Sequence, residues 1–247
     1  MVKEKIVTRE SFGNVAAAWA VHVFTMTGVV WAGLATLALM NNEIKMMWLW
    51  LSIALLVDGV DGTLARKAEV TKWAPNFDGR TLDNIVDYMT WTFIPACFMY
   101  MHLPLGPTWL AMTMFVLIVA SSMFCYCNLA LKTDDYYFMG FAAMWNIVAV
   151  ILWIFATPAG FNIPLVIFLS LMTVAPITIV HPFRVGTLMP VNIVAALSWV
   201  AMTVVMIFTY PERPLVVEII WWIGGLWLTV MSLWRSVTEI RRWRNGA

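Results

Sequence analysis

The sequence predicts an all-α, polytopic integral membrane protein: a bundle of about eight transmembrane helices with both termini in the cytoplasm. The 247-residue chain is 62% hydrophobic and only 12% charged, with a mean hydropathy of +0.82. A typical soluble domain is nearer half apolar and one quarter charged. Apolar runs of about 20 residues, the length that a helix needs to cross a bilayer, recur along the chain. Positive charge is also distributed unevenly among the loops between these runs.

Charges, prolines and glycines divide the chain into eight apolar runs. They lie at 14–40, 46–65, 82–103, 107–131, 138–157, 162–180, 189–209 and 215–236. The break between the fifth and sixth runs rests on Pro158, Gly160 and Pro164. Because the loops are short and no internal repeat is visible, we expect one membrane-embedded domain over 1–247. Residues 1–13, with basic and apolar side chains interleaved, form either a short interfacial helix or a tail.

The basic residues orient the bundle in the membrane. With the N-terminus in the cytoplasm, thirteen of the 15 Lys and Arg residues fall in cytoplasmic segments, and only Lys45 and Arg213 fall on the other side. Cytoplasmic loops of membrane proteins carry this excess of positive charge. Both termini, and the loop after the second run, are therefore predicted to face the cytoplasm.

Composition also removes some function classes. A net charge of +1 gives no reason to expect nucleic-acid binding. The cysteines Cys97, Cys125 and Cys127 lie in apolar runs, and Cys125-x-Cys127 is too short for the usual zinc spacing, so packing is the favoured interpretation. His22 and His102 stand alone in or near apolar runs and are interpreted in the same way.

Aspartates at the ends of the second and third runs are the main chemical feature of the chain. Asp58 and Asp61 are three residues apart, and Asp83 and Asp87 are four apart. Residues at these spacings are neighbours on one helix face. Consecutive spans joined by a short loop are expected to be adjacent and antiparallel, so the two pairs are predicted to face one another.

Carboxylates grouped beside apolar segments need positively charged partners that offset their negative charge. An aspartate at mid-membrane depth costs about 2.5–3.5 kcal/mol on insertion scales, and less near the interface. Salt bridges to Arg66, Lys67 or Arg80 are one solution, and divalent cations are the other. Oxygen-only ligands that converge suit Mg²⁺ or Mn²⁺, and two such ions sharing carboxylates form the clamp used in phosphoryl chemistry.

Small and basic residues around the aspartates fit a nucleotide. Gly62, Ala65 and Gly79 remove side-chain bulk where a ligand must approach the backbone, and Arg66 offers a planar fork to a phosphate oxygen. Lys72 and Arg80 add positive charge at the membrane surface. The alternative is a structural salt-bridge network at a helix end, which explains single Asp–Arg pairs but not all of these positions together.

The complete pattern is Asp58-x-x-Asp61-Gly62-x-x-Ala65-Arg66, followed by Gly79-x-x-x-Asp83-x-x-x-Asp87. At these residues the chain resembles the CDP-alcohol phosphotransferases, and every fixed position of that signature is present between 58 and 87. The resemblance implies a membrane enzyme that holds two metal ions and displaces CMP from a CDP-linked substrate with an alcohol. Members of the family are often dimeric.

One departure from the family's usual pattern indicates which alcohol the enzyme uses. The spacer from Lys67 to Asp78 is longer than in most members, and it resembles a bacterial branch of the family, as do residues 132–141 and the pair Trp145-Asn146. That branch uses CDP-diacylglycerol and free choline, prefers Mn²⁺ with Mg²⁺ as the alternative, and works in the inner membrane among membrane lipids.

The resemblance also implies roles for single residues. The metal ligands are Asp58, Asp61, Asp83 and Asp87. The nucleotide site comprises Asp61, Gly62, Ala65, Arg66, Gly79 and Arg80. Asp87 is in addition the general base for the alcohol hydroxyl.

A choline site is less determined by sequence. A quaternary ammonium favours aromatic faces. Tyr136 and Trp145 are the first choices and Tyr88 the next, with Tyr126, Tyr137 and Phe183 as further cytoplasmic-side candidates. Asp134 and Asp135 can add negative charge. For any single one of these aromatic residues, ordinary packing is the competing explanation.

Two alternatives remain at the level of sequence. A sibling enzyme using serine would share the metal chemistry, but it is expected to have the shorter spacer. A transporter coupling cations to intramembrane carboxylates would place its acids in mid-span and show an inverted repeat.

Overall fold

The computed structural model describes residues 9–128, 137–175, 178–180 and 188–244. Helices dominate these residues, which confirms the all-α class, and two three-residue strands are the exception. The elements are α1 (Arg9–Met40), α2 (Ile44–Lys67), α3 (Val70–Trp73), α4 (Gly79–Asp87), a π-helical segment (Tyr88–Phe93), α5 (Ile94–His102), α6 (Thr108–Cys127), β1 (Tyr137–Met139), α7 (Trp145–Ile154), α8 (Ala159–Met172), β2 (Thr178–Val180), α9 (Met189–Thr209) and α10 (Leu215–Arg244). They form two compact units, Met1–Thr90 and Trp91–Ala247, so the single domain expected over 1–247 stays a prediction.

Helix α1 organises the first unit. A turn at residues 41–43, with Asn42 in the left-handed region at φ 61°, reverses the chain so that α2 packs along α1. Asparagine tolerates this conformation better than most residues. Helices α3 and α4 also pack against α1. The sequence placed the second and third spans side by side; in the structure α1 packs against both α2 and α4.

The third predicted span, 82–103, is a helix with an internal change of winding. Helix α4 passes into the π-helical segment, and α5 then begins with Pro95 in its first turn. Proline has no N–H to donate, and its ring clashes with the carbonyl four residues earlier in an α-helix. A wider π-helical turn directly before the proline accommodates this interruption.

In the second unit, α5 packs against α6 and α7, α6 against α8, and α9 against α10. Strands β1 and β2 pair antiparallel, with Tyr137 opposite Val180 and Met139 opposite Thr178. Within this core the Asn162 side chain donates to the carbonyls of Pro104 and Thr157, at 3.0 and 3.1 Å. The buried Asn162 amide is thus satisfied by the protein itself.

Five described helices are long and apolar enough to cross a membrane, as expected for a multi-pass membrane protein. They are Phe12–Met40, Ile44–Lys67, Thr108–Cys127, Met189–Thr209 and Leu215–Trp234, which match five predicted spans. Trp145–Ile154 and Ala159–Met172 are shorter, and ten helical residues extend only about 15 Å. In the predicted span 138–157, β1 and a left-handed turn at Gly140 (φ 78°) precede the helix. The count of eight spans therefore stays a prediction, as does the form of residues 1–8, which lie outside the described residues.

Candidate metal and nucleotide site

Three carboxylates of the first unit converge at one point. Asp58 comes from α2, and Asp83 and Asp87 come from α4; one oxygen from each lies within 4.8 Å of the others. The carboxyl groups of Asp58 and Asp87 are within hydrogen-bonding distance, with Asp83 and Asp61 as charged neighbours. All three converging residues are half-buried, so the cluster is open to a ligand. The structure thus brings together three of the four aspartates that the sequence singled out, one from the first pair and both from the second.

The local helix geometry explains this convergence. In α2, Asp58 and Asp61 turn toward the interior of the unit, while Gly59 and Val60 between them are exposed. In α4, Asp83 and Asp87 are one helical turn apart and share a face. Both helices pack on α1, and Asp58 of α2 lies close to Asp83 and Asp87 of α4.

Asp61 has a partner that the sequence did not reveal. Its carboxylate accepts a 2.9 Å hydrogen bond from the Thr25 hydroxyl of α1, and both residues are buried. Thr25 lies inside an apolar run, 36 residues from Asp61, and no local pattern marks it. The hydroxyl fixes the orientation of Asp61 and leaves its second oxygen for another ligand.

The donor set suits a small, hard divalent cation. Carboxylate oxygens are the ligands that Mg²⁺ and Mn²⁺ prefer. Opposite ligands of an octahedral Mg²⁺ are about 4.1 Å apart. The separation of up to 4.8 Å is close to this value, so small side-chain rotations adapt the three carboxylates to one ion.

Asp78 starts α4 and so sets the position of the acids that follow. Its carboxylate accepts from the backbone N–H groups of Arg80 and Thr81, at 3.0 and 3.1 Å, and from the Thr81 hydroxyl at 2.8 Å. These bonds satisfy free donors of the first helical turn. The Thr81 hydroxyl and backbone, which bind the ionised form, lower the pKa of Asp78. Asp78 is thus the N-terminal cap of α4.

The basic residues near the cluster differ in whether their charge is already paired with another side chain. Arg66 is exposed and donates to the Thr63 hydroxyl at 2.9 Å, which holds its guanidinium beside the last turn of α2. Arg80 is exposed at the start of α4. Lys72 pairs with Glu69 at 2.8 Å and lies over the Trp73 ring, so part of its charge is already balanced.

The choline candidates are spread along the chain. Tyr88 is half-buried and directly follows Asp87. Trp145 is fully buried in the second unit, donates its indole N–H to the Ser122 hydroxyl at 3.0 Å, and packs edge-on against Phe141. Tyr136, Asp134, Asp135 and Phe183 lie outside the described residues, and Tyr137 is described only as part of β1.

Curated relatives identify the family. The chain is 41% identical to the phosphatidylcholine synthase of Pseudomonas aeruginosa, over 92% of this chain and 94% of the relative. It is 34% identical to that of Rhizobium johnstonii (87% and 88% covered) and 30% identical to that of Borreliella burgdorferi (76% and 81% covered). The chain belongs to the phosphatidylcholine synthase family. No protein-family model matches the chain.

Membership confirms the branch that the long spacer predicted. It makes the chain an enzyme of phospholipid synthesis and a transferase, and it is consistent with the wider CDP-alcohol phosphotransferase resemblance. Neither the serine-using sibling nor the cation-coupled transporter is favoured by these relatives.

Proposed function

We propose that the chain makes phosphatidylcholine by transferring the phosphatidyl group of CDP-diacylglycerol to the hydroxyl of choline, with release of CMP. The names of the relatives support the overall reaction. The observation that carries the mechanism is the convergence of Asp58, Asp83 and Asp87, from two helices, on one point.

In this proposal Asp58, Asp61, Asp83 and Asp87 hold two divalent cations, with Mn²⁺ preferred and Mg²⁺ as the alternative. When bound, such cations neutralise pyrophosphate charge and make the phosphorus more electrophilic. Three of the four carboxylates share one point, and the fourth is oriented by Thr25 beside them. The oxygen-only donor set supports these hard metals over zinc or copper.

The remaining signature residues bind and orient the nucleotide. Gly62, Ala65 and Gly79 leave room for it beside the backbone, and the exposed guanidinium groups of Arg66 and Arg80 bind phosphate oxygens. The phosphorus of the phosphatidyl group then lies between the CMP leaving group and the incoming alcohol. Correct placement of the two reactants supplies a large part of the rate.

Asp87 acts as the general base. It takes the proton of the choline hydroxyl as the choline oxygen attacks the phosphatidyl phosphorus; the bond from that phosphorus to the CMP oxygen breaks, and CMP leaves with the electron pair. A positioned base contributes about 10²–10⁴-fold. We expect Asp87→Asn to lose turnover to this extent while retaining CDP-diacylglycerol binding. Glu43→Gln, an exposed acid in the α1–α2 turn, is the matched control, and near-normal turnover of Asp87→Asn contradicts the base assignment.

The substrate assignment is tested with one membrane assay. Membranes containing the enzyme receive CDP-diacylglycerol and Mn²⁺, with choline, serine, inositol or glycerol 3-phosphate in parallel. CMP release with choline alone is the expected result. Release with serine but not with choline contradicts the proposal.

Aromatic residues near the cytoplasmic side are proposed to bind the choline ammonium, with Tyr136, Trp145 and Tyr88 as the first to test. Alanine at each should raise the choline KM more than the KM of CDP-diacylglycerol. For Trp145, Ser122→Ala is the matched control, because it removes the indole hydrogen bond and keeps the ring. Equal effects on both substrates contradict a choline role.

We further propose that the enzyme sits in the bacterial inner membrane with the aspartate cluster facing the cytoplasm, and that it assembles as a homodimer. In a background with all three cysteines replaced by serine, Asn41→Cys places an exposed thiol in the turn before α2, and Thr71→Cys places one in α3, which follows the other end of α2. A membrane-impermeant maleimide should label Asn41→Cys in intact spheroplasts and Thr71→Cys only after lysis. Labelling of Thr71→Cys in intact spheroplasts, with Asn41→Cys labelled only after lysis, contradicts the proposed orientation. The homodimer is tested separately, and a monomeric mass in detergent contradicts it.

A further inference from the structure

One face of α1 contacts the two helices that carry the aspartates, α2 and α4, at three positions. Spaced three residues apart, His22 meets Gly79 at the start of α4, Thr25 binds Asp61 of α2, and Gly28 lies against Val86 of α4. Residues at this spacing lie along one side of a helix. The two α4 contacts flank Asp83, and the second lies directly before Asp87.

The contact at His22 is close enough to dictate the residue at position 79. A Cβ atom on Gly79 would lie 2.7 Å from the His22 Cε1 atom and 3.1 Å from its Nδ1 atom. The imidazole cannot easily move away, because it is buried with its ring centroid 4.6 Å from Phe77 and 5.8 Å from Trp19. Phe77 also precedes the cap residue Asp78, so the segment that starts α4 runs over this ring.

The identity of the ring fits this tight space. The Nε2 atom of His22 is buried without a hydrogen-bond partner among the described residues, which is unfavourable for a polar atom. A phenylalanine would remove that cost, but its six-membered ring is larger and would press on the backbone of Gly79. The compact imidazole fills the space without displacing α4.

We propose that His22 is a positioning residue: its ring fills the space beside Gly79, fixes the first turn of α4, and thereby holds Asp83 and Asp87 in line with Asp58. Gly79 is then glycine because of His22, a reason separate from any approach of the nucleotide to the backbone. The inference deepens the proposed function and uses its reaction as the readout.

The proposal is tested with His22→Ala, Gly79→Ala and the double variant. Gly79→Ala should lower kcat/KM about tenfold or more, because it overpacks a closed site. The double variant should regain at least about threefold over Gly79→Ala, since the alanine methyl then has room. His22→Phe should lose activity as Gly79→Ala does. Controls are Gly33→Ala, where an added Cβ meets no atom within 4 Å, and His102→Ala, a half-buried histidine whose Nε2 atom is also buried without a hydrogen-bond partner among the described residues.

The kinetic pattern separates positioning from general loss of structure. His22→Ala should raise the Mn²⁺ concentration for half-maximal activity and lower kcat, with the choline KM within about twofold of wild type. If Gly79→Ala does not accumulate as a monodisperse protein in detergent, recovery of monodisperse protein in the double variant is the readout. A double variant no better than Gly79→Ala, in activity or in accumulation, overturns the proposal. Wild-type turnover with choline tests the proposed function separately.

Discussion

The hydrogen bond from Thr25 to Asp61 predicts how a residue outside the signature controls the metal site. Thr25→Val keeps the shape of the side chain and removes the hydroxyl that donates to Asp61 at 2.9 Å. Both residues are buried, at 7% and 5% exposure, so water cannot replace the donor. A hydrogen bond to a charged group contributes about 1.5–3 kcal/mol.

About 1.4 kcal/mol corresponds to a factor of ten in an equilibrium constant. Loss of this hydrogen bond therefore corresponds to about 10- to 150-fold weaker Mn²⁺ binding. Partners that orient metal ligands affect metal affinity by about 10- to 100-fold, which is a similar range. The effect should therefore appear as a rise of this size in the Mn²⁺ concentration for half-maximal CMP release. Saturating Mn²⁺ should restore most of the turnover, because no residue proposed to contact substrate is changed.

Two controls make the measurement specific. Thr25→Ser keeps the hydroxyl and should remain within a few-fold of wild type. Thr36→Val removes an exposed hydroxyl of α1 that donates only to the Ala32 carbonyl of its own helix, at 2.9 Å. If Thr25→Val has the Mn²⁺ requirement of wild type, or if Thr25→Ser is as impaired as Thr25→Val, the reasoning is refuted.

Three further predictions follow from the same unit. Gly28→Ala should lower activity and thermal stability, because the added Cβ would collide with Val86. Adding Val86→Ala should recover part of the lost activity and stability. A double variant that recovers neither contradicts this packing. The pKa of Asp78 is lowered in the folded protein, so its stabilising effect is complete above the ordinary Asp pKa and is lost as pH falls through the lowered value. Asp78→Asn, which still caps a helix but does not titrate, should flatten the acid side of the Tm–pH profile, and an unchanged profile excludes this role. Chelation of divalent metal should abolish CMP release and Mn²⁺ should restore it, with Asp83→Asn needing more Mn²⁺ than wild type; activity that survives exhaustive chelation contradicts the metal proposal.

The membrane class and the acidic pairs were predictable from sequence because both are local properties. A long apolar run must be helical in a bilayer, where every backbone polar group needs an internal partner. The spacings of Asp58 with Asp61, and of Asp83 with Asp87, place each pair on one helix face whatever the rest of the fold does. The signature around these residues indicated the family, and the curated relatives confirm it.

Other features depend on contacts between distant parts of the chain. A hydropathy pattern reports that residues 138–157 are apolar, but not that a strand and a turn take the first part and leave α7 only ten residues. The sequence marks Trp145 only as an aromatic candidate, and the structure adds that its indole N–H is bonded to Ser122 and its ring is buried; its contact with choline stays a prediction.

The sequence by itself determined that this is a membrane enzyme with two carboxylate pairs on helices. Apolar composition, the three- and four-residue spacings and the signature motif can each be recognised within a short stretch of chain. Only the tertiary structure decided that α1 completes the cluster. His22 and Thr25 are ordinary members of an apolar run until the packing of α2 and α4 on that helix brings Gly79 and Asp61 to them. The physical reason is that a side chain's role depends on what it touches, and these partners lie tens of residues away along the chain.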